Sequence, residues 1–368
     1  MDRYELRRQD YSLTDEHHAV RHAFRQFFDT HCLIETVRAA ETSGFDKGLW
    51  ERLRTMGATT MALPQACGGD EATLVDLTLV AEEIGRALAP VPWIDHVCAT
   101  RLLARLDALD GAAGRVLANG ERIACINPQS HTAAEPMLIA AGSVADHILM
   151  CDGQDVIDLT FDTRPQKVDN IGRLPMAYVD PSLGDHRTVL ASGPAAVTKY
   201  QRAIDEWRLL TAAALTGLVD AAMTIAAEFA KTRHTLGVPI AALQAISHPL
   251  ANMAVTLHGG RNLTRKAAWF FEYEPDERPE LAAAAFLFMA EEATKVTAMA
   301  AHIQGGLGMS NEAASTSYLL RARGWPLAGG DPGLVAQYIA ELAAARELRS
   351  PRHSPGPQEL VQTAAASG

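Results

Sequence analysis

The spacing of apolar residues along this chain changes twice, and those two changes limit the fold more than any other feature. Up to about residue 120 the spacing is helical. Thr14-Asp15-Glu16 reads as a helix start, followed by Val20, Phe24 and Phe27-Phe28 on one face. Leu74, Leu77, Val80-Ala81, Ile84 and Leu88 repeat the pattern before Pro90 and Pro92 close it. From about 121 the period shortens. Ile148-Leu149-Met150-Cys151, Asp152-Gly153 and Val156-Ile157-Asp158-Leu159 read as strand, turn and strand, and prolines and glycines recur through 164–194. Helical spacing returns at 204 and holds to about 349, in four or five long segments with short breakers such as Gly237-Val238-Pro239. That is the signature of a helical bundle. The expected division is a helical region over 1–120, a β region over 121–203, a bundle over 204–350 and a disordered Pro/Ser/Ala/Gly-rich tail over 351–368.

Composition narrows the function class. A chain of 368 residues exceeds one typical core, and 48% hydrophobic with only 6% aromatic content indicates Ala/Leu-rich helices. A formal net charge of -11 argues against nucleic acid and anionic membranes as main partners. It leaves an anionic small ligand open, because local arginines decide that. Cys32, Cys67, Cys98, Cys125 and Cys151 are odd in number and dispersed, as expected of reduced thiols inside a cell. The first ten residues lack an apolar stretch of the secretory kind, and the longest apolar run, Leu281 to Ala290, is too short to span a bilayer. A cytoplasmic location without a membrane anchor is expected.

Two stretches carry residues suited to a phosphorylated ligand. In the first, Arg233 ends an apolar helix, Gly237 breaks it, Pro239 prevents its continuation, and Gln244 and His248 lie four apart on the next helix. The plain reading of Arg233 is a cation bonding the last carbonyls of its helix. Gln244 equally reads as an exposed helix residue. The second stretch is His302-Ile303-Gln304-Gly305-Gly306-Leu307-Gly308, where glycines permit positive φ and close approach of backbone N–H groups to a phosphate. A simple helix-ending turn is the alternative.

The order and spacing of these two stretches resemble the acyl-CoA dehydrogenase family, whose corresponding segments read roughly R-x-x-F-G-x-P-I-x-x-x-Q and Q-I-H-G-G-x-G. Gly57, Leu63-Pro64, Gly68-Gly69 and Glu82-Glu83-Ile84-Gly85-Arg86-Ala87-Leu88-Ala89-Pro90 match its N-terminal half in order, so the resemblance spans about residues 14 to 349. It implies an α+β fold with an N-terminal helical domain, a middle β-barrel and a C-terminal four-helix bundle. It also implies FAD as cofactor. Arg233 would bind the FAD pyrophosphate, a target that suits a guanidinium fork, and Gln244 would reach the adenosine half. Gln304, Gly305, Gly306 and Gly308 would touch a cofactor held mainly by a neighbouring subunit, which implies a homo-oligomer or a hetero-oligomer with a related chain. The implied reaction is α,β-dehydrogenation of an acyl thioester of coenzyme A or a carrier protein.

The chain departs from the family at the chemistry. Dehydrogenation needs a carboxylate to remove the α-proton. Many members keep a Glu in a C-terminal Y-E-G-T segment, where Gly330 of Leu327-Ala328-Gly329-Gly330-Asp331-Pro332 stands here. Another branch places its Glu directly before an Arg on an earlier helix. Here Trp207 precedes Arg208, and Glu206 lies one residue further back, about 100° around the helix. Glu206 is the first candidate base, with a helix-dipole role beside Asp205 as the alternative. Asp331 is the second, with a cap of the following helix as the alternative. Ala124 to His131 stands where flavin-binding members carry T-E-P-x-x-G-S-D, and no W-I-T segment follows. Two further readings thus stand beside a working dehydrogenase: a cofactor-poor subunit of a heteromeric dehydrogenase, and an acyl-thioester-binding protein without redox activity. No metal site is expected, since His18 and His22 lack a third ligand.

Overall fold

The computed structural model describes residues 11–129, 136–182, 184–310 and 312–349. The expected tail over 351–368 lies outside them, as do Ser130 and His131 of the segment compared with the flavin motif. Among the described residues the N-terminal region has six α-helices: α1 (Asp15–His31), α2 (Ile34–Ala39), α3 (Lys47–Thr55), α4 (Leu74–Ala87), α5 (Trp93–Arg105) and α6 (Gly111–Ala118). Thr14 and His17 exchange hydrogen bonds to close the start of α1, and Thr73 and Asp76 do the same for α4. α4 is buried along nearly its whole length, and Leu88 ends it with φ 52°. The chain then turns through Pro90 and Pro92 into α5.

Among the described residues six strands follow: β1 (Ala124–Ile126), β2 (Met137–Ile139), β3 (His147–Asp152), β4 (Asp155–Thr160), β5 (Ala177–Val179) and β6 (His186–Ser192). One sheet has the order β1-β3-β4-β6, with β1 parallel to β3 and the remaining pairs antiparallel. β2 and β5 form an antiparallel ribbon. The β3–β4 hairpin pairs Asp152 with Asp155, so Gly153 and Gln154 form its turn, with Gly153 at φ 62°.

The C-terminal bundle comprises α7 (Pro194–Thr232), α8 (Gln244–Tyr273), α9 (Leu281–Gln304), α10 (Ala314–Gly324) and α11 (Pro332–Arg349). α7 begins ten residues before the position where helical spacing becomes legible. Gly193 at φ 91° stops the preceding strand, and Pro194 then takes the first helical position, where its missing N–H costs nothing. Between α7 and α8 runs a small hairpin, β7 (His234–Thr235) and β8 (Val238–Pro239), turned by Leu236 and Gly237 at φ 50° and 79°. Of the described helices only α7 is long and apolar enough to cross a membrane, yet 72% of its apolar window is buried inside the protein.

α7 crosses α4 at backbone distance. A Cβ on Gly85 would fall 1.7 Å from the Ala214 carbonyl oxygen, and one on Gly217 would fall 1.7 Å from that of Glu82. This crossing joins the N-terminal region to the bundle and sets Ile84 of α4 beside Thr211 and Ala214 of α7. Around it, ion pairs tie the helices together. Arg261 of α8 bonds Glu82 and Asp220, and Arg25 and Arg86 both bond Glu83.

Candidate functional site

Beside this crossing the three regions line a narrow, largely apolar cleft with a cavity volume of about 70 Å³. α7 lines it with Trp207, Thr211 and Ala214, spaced four and three residues apart and therefore on one face. Ile84 and Leu88 come from α4 and Ile94 and Asp95 from the first turn of α5; Gly172–Pro175 of the β region and Trp325 after α10 complete the wall. Trp207 is the pivot. Its ring packs 5.8 Å from Phe286 and lies where a Cβ on Gly329 would be 2.8 Å away, so position 329 has no room for a side chain. Its indole Nε1 donates to Asp95 Oδ1 at 3.0 Å. Burial pushes the Asp95 carboxyl up to about 6, while the Trp207 bond pulls it the other way. Sequence spacing gives no sign of Asp95, because the cleft it faces exists only once α5 has packed against α7.

Glu206 goes elsewhere. It is fully buried, and its carboxylate accepts from Arg101 at 3.1 Å and from Arg105 of α5. Burial alone would raise its pKa, but Arg101 and Arg105 hold it below the usual glutamate value. The rotation of one residue along α7 thus gives Trp207 to the cleft and Glu206 to an ion-pair network outside the cleft lining. Glu206, the first candidate base, thus does not line the cleft. Asp205 pairs with Arg208 at 2.8 Å and accepts from the Tyr338 hydroxyl at 3.0 Å. Asp331, the second candidate, is exposed and its Oδ1 accepts from the Gly333 N–H at 2.8 Å, the bond of a cap of α11.

The expected cofactor residues gather at one end of the bundle. Consecutive helices α7, α8 and α9 are joined by short connections and run up, down and up. The end of α7 with Arg233, the start of α8 with Gln244 and the end of α9 with Gly305 therefore share that end. Arg233 and Gln244 are exposed, and the Arg233 guanidinium has no side-chain partner among the described residues. Gly305, at φ 62°, and Gly306 are exposed with open space around them. Gln304 differs from expectation: it is buried, and its amide donates to Ser315 Oγ at 2.5 Å, tying α9 to α10. Gly308 has a packing role, since a Cβ there would meet the Ala301 carbonyl at 2.2 Å. His18 meets Arg21, and no group of potential metal ligands occurs among the described residues.

A helical layer, a β region and a helical bundle around an apolar cleft, with an unpaired arginine at the bundle end, define a protein of the acyl-CoA dehydrogenase class. Residues 14–106 match the acyl-CoA dehydrogenase N-terminal domain and residues 197–343 its C-terminal domain. The chain belongs to the acyl-CoA dehydrogenase family, whose members are flavin-dependent oxidoreductases. It is 26% identical over 319 residues to acyl-CoA dehydrogenase IpdE2 of Mycolicibacterium smegmatis, covering 85% of this chain and 94% of that one. It is 25% identical to the benzylmalonyl-CoA dehydrogenase of Aromatoleum aromaticum, over 90% of this chain and 99% of the relative. Among solved structures, a chain of the ChsE4-ChsE5 complex from Mycobacterium tuberculosis superposes with a TM-score of 0.80 at 23% identity, over 93% of this chain and all of that one. Butyryl-CoA dehydrogenase from Megasphaera elsdenii gives 0.74 at 21%, over 91% and 100%.

Family members bind FAD, and the bundle end fits that group. Arg233 offers an uncompensated guanidinium for a doubly anionic pyrophosphate, and Gly305 and Gly306 offer backbone free of side-chain cover.

Proposed function

We propose that this chain is a subunit of an FAD-dependent acyl-CoA dehydrogenase that binds an acyl thioester and depends on a related second chain for the proton acceptor. The observation that carries this reading is the lack of a free carboxylate at either position where the family keeps its glutamate. Gly330 has no side chain, Trp207 fills the other position, and Glu206 beside it is held by Arg101 and Arg105. The ChsE4-ChsE5 complex supports a mixed assembly. In this reading the apolar cleft takes the acyl group and excludes water, which strengthens every polar contact inside. Arg233, Gln244 and the backbone of Gly305 and Gly306 would hold the pyrophosphate and adenosine of an FAD shared with the neighbouring subunit. FAD when bound supplies the hydride acceptor.

A second reading, a self-sufficient dehydrogenase, is favoured by Asp95, a carboxylate that does line the cleft. Flavin content separates the two. Expressed alone, the chain should carry well under one FAD per polypeptide and show no bleaching of the visible flavin band with acyl-CoA under anaerobic conditions. Co-expression with a second dehydrogenase-like chain of the same organism should restore both. Stoichiometric FAD and thioester-dependent bleaching by the chain alone would overturn the subunit reading.

A further inference from the structure

Among the described residues every buried carboxylate has a cation partner, whereas the partly buried Asp95 at the cleft does not. Glu82 meets Arg261, Glu83 meets Arg25 and Arg86, Asp205 meets Arg208, Glu206 meets Arg101 and Arg105, and Glu280 meets Arg278 and Arg346. Each is a structural pairing, as the cost of burying a lone charge requires. Asp95 has no cation partner among the described residues. Its only side-chain hydrogen bond there comes from the neutral Trp207 indole, and no charged group contributes to its ionisation. Its remaining accessible surface opens onto the cleft. One turn along α7 from Trp207, Thr211 lines the same cleft, is 4% exposed, and makes no side-chain hydrogen bond among the described residues.

Two polar groups with spare capacity, one a strong acceptor, thus face a mainly apolar cavity whose other charged lining residues are Arg173 and Arg321. A plain alkyl chain would leave that carboxylate desolvated and unanswered. A ligand that donates a hydrogen bond would answer it. An ammonium is disfavoured because Arg173 and Arg321 line the same cleft. A neutral donor remains.

We propose that Asp95 is a specificity-determining residue that accepts a hydrogen bond from a hydroxyl on the acyl group, so that the cleft selects hydroxylated acyl thioesters over unsubstituted ones. This rests on the reading of the cleft as an acyl-thioester site. Thr211 offers the same hydroxyl a second partner. Trp207 fixes the carboxylate by holding Oδ1, which leaves the hydroxyl to engage the rest of the group. With a pKa near 6 the carboxylate is ionised at neutral pH and so is a charged acceptor. Discrimination by a site built around a hydroxyl exceeds what a purely apolar pocket achieves, because the analogue lacking it strands a polar group.

The test uses the full chain, with its partner chain where one is needed, and isothermal titration with matched coenzyme A thioesters. The probes are cyclohexanecarbonyl-CoA and hydroxycyclohexanecarbonyl-CoA isomers, and hexanoyl-CoA with its hydroxylated forms. Wild type should bind at least one hydroxylated probe about 10- to 100-fold tighter than its unsubstituted match, the worth of a hydrogen bond to a charged acceptor. Asp95→Asn, whose amide oxygen can still accept from Trp207, should lose most of that preference while binding the unsubstituted probe as well or better. Asp95→Leu should reverse the preference; if it fails to fold, Asp95→Asn decides alone. Equal binding of each pair by wild type, or an equal loss for both probes in Asp95→Asn, overturns the inference while leaving the acyl-thioester site intact. An unchanged preference in Asp95→Asn with abolished flavin reduction overturns it too, and makes Asp95 the proton acceptor. No binding of any thioester by folded wild-type protein overturns the reading of the cleft itself, and this inference with it.

Discussion

Replacing Glu206 with glutamine separates a structural carboxylate from a catalytic one. In the fold Glu206 is inaccessible and lies between two arginines of α5 whose side chains are 14% and 22% exposed. The amide would keep the shape but leave both guanidiniums facing a neutral group, with only the water of the open pocket they line to solvate them. Breaking a buried pair in this way costs about 3–5 kcal/mol. Arg101 keeps a bond to the Ala62 carbonyl at 2.9 Å, which favours the lower end. A loss of about 3 kcal/mol lowers the unfolding midpoint of a chain this size by roughly 4 °C. The sign of the pH dependence is a second check. Because the arginines depress the Glu206 pKa below its ordinary 4.5, its contribution is complete above that value and fades as pH falls through the depressed one. Scanning calorimetry of wild type and Glu206→Gln should therefore show a wide gap at pH 7 that narrows in acid. Anaerobic flavin reduction by acyl-CoA, measured in the assembled enzyme well below either midpoint, should differ little. An unchanged melting temperature with reduction slowed a hundredfold or more would mean that Glu206 reaches substrate and that its pairing with α5 is not its role.

Other substitutions probe the remaining parts. Arg233→Ala should weaken FAD retention by about 1.5–3 kcal/mol, the worth of a charge-assisted hydrogen bond, with little change in apo-protein melting. Unaltered flavin affinity by equilibrium dialysis would place the pyrophosphate elsewhere. Asp95→Asn should stabilise the protein at pH 8. Its carboxyl rises from 3.8 to about 6 on folding, so ionisation opposes folding by up to about 3 kcal/mol above pH 6. That gain should shrink as pH falls from 6 towards 3.8, and a variant less stable than wild type at pH 8 would count against it. Gly217→Ala should cost several kcal/mol, since its Cβ would overlap the Glu82 carbonyl and push α4 from α7. Wild-type stability in urea would show that the crossing is looser than these distances imply.

Much of the fold is legible in the sequence because it rests on local signals. The start of α1 at Thr14, the β3–β4 hairpin and the helix break at Gly237-Pro239 each depend on residues a few positions apart, and each forms where its turn chemistry lies. The start of α7 is not legible, because Gly193-Pro194 looks like the end of a strand. The same dipeptide is a good helix entry when the chain beyond it is buried, and burial is a tertiary fact.

The site divides along the same line. Arg233, Gln244, Gly305 and Gly306, the proposed cofactor residues, are exposed and belong to two short motifs, so spacing alone singles them out. The surroundings of the two carboxylate candidates are less legible, because a sequence shows which residues carry carboxylates but not which cations meet them. Glu206 and Asp331 are both acidic and near a family position, yet one is claimed by Arg101 and Arg105 and the other by the N–H of Gly333. Asp95 sits in the first turn of α5, where a helix-dipole role would account for any acidic residue. What sets it apart is the missing arginine, and that follows from register on two helices over a hundred residues apart in sequence. On α5, Arg101 and Arg105 turn to the side that Glu206 occupies, while Asp95 meets Trp207. Adjacent residues of α7 thus serve opposite ends of α5, one giving it a charge pair and the other leaving a carboxylate free. A shift of α7 that put Glu206 in the place of Trp207 would bring Asp205, one methylene shorter, opposite Arg101 and Arg105 and draw it away from Arg208 and Tyr338. The longer reach of Glu206 to both arginines therefore favours the register that keeps Trp207 on Asp95.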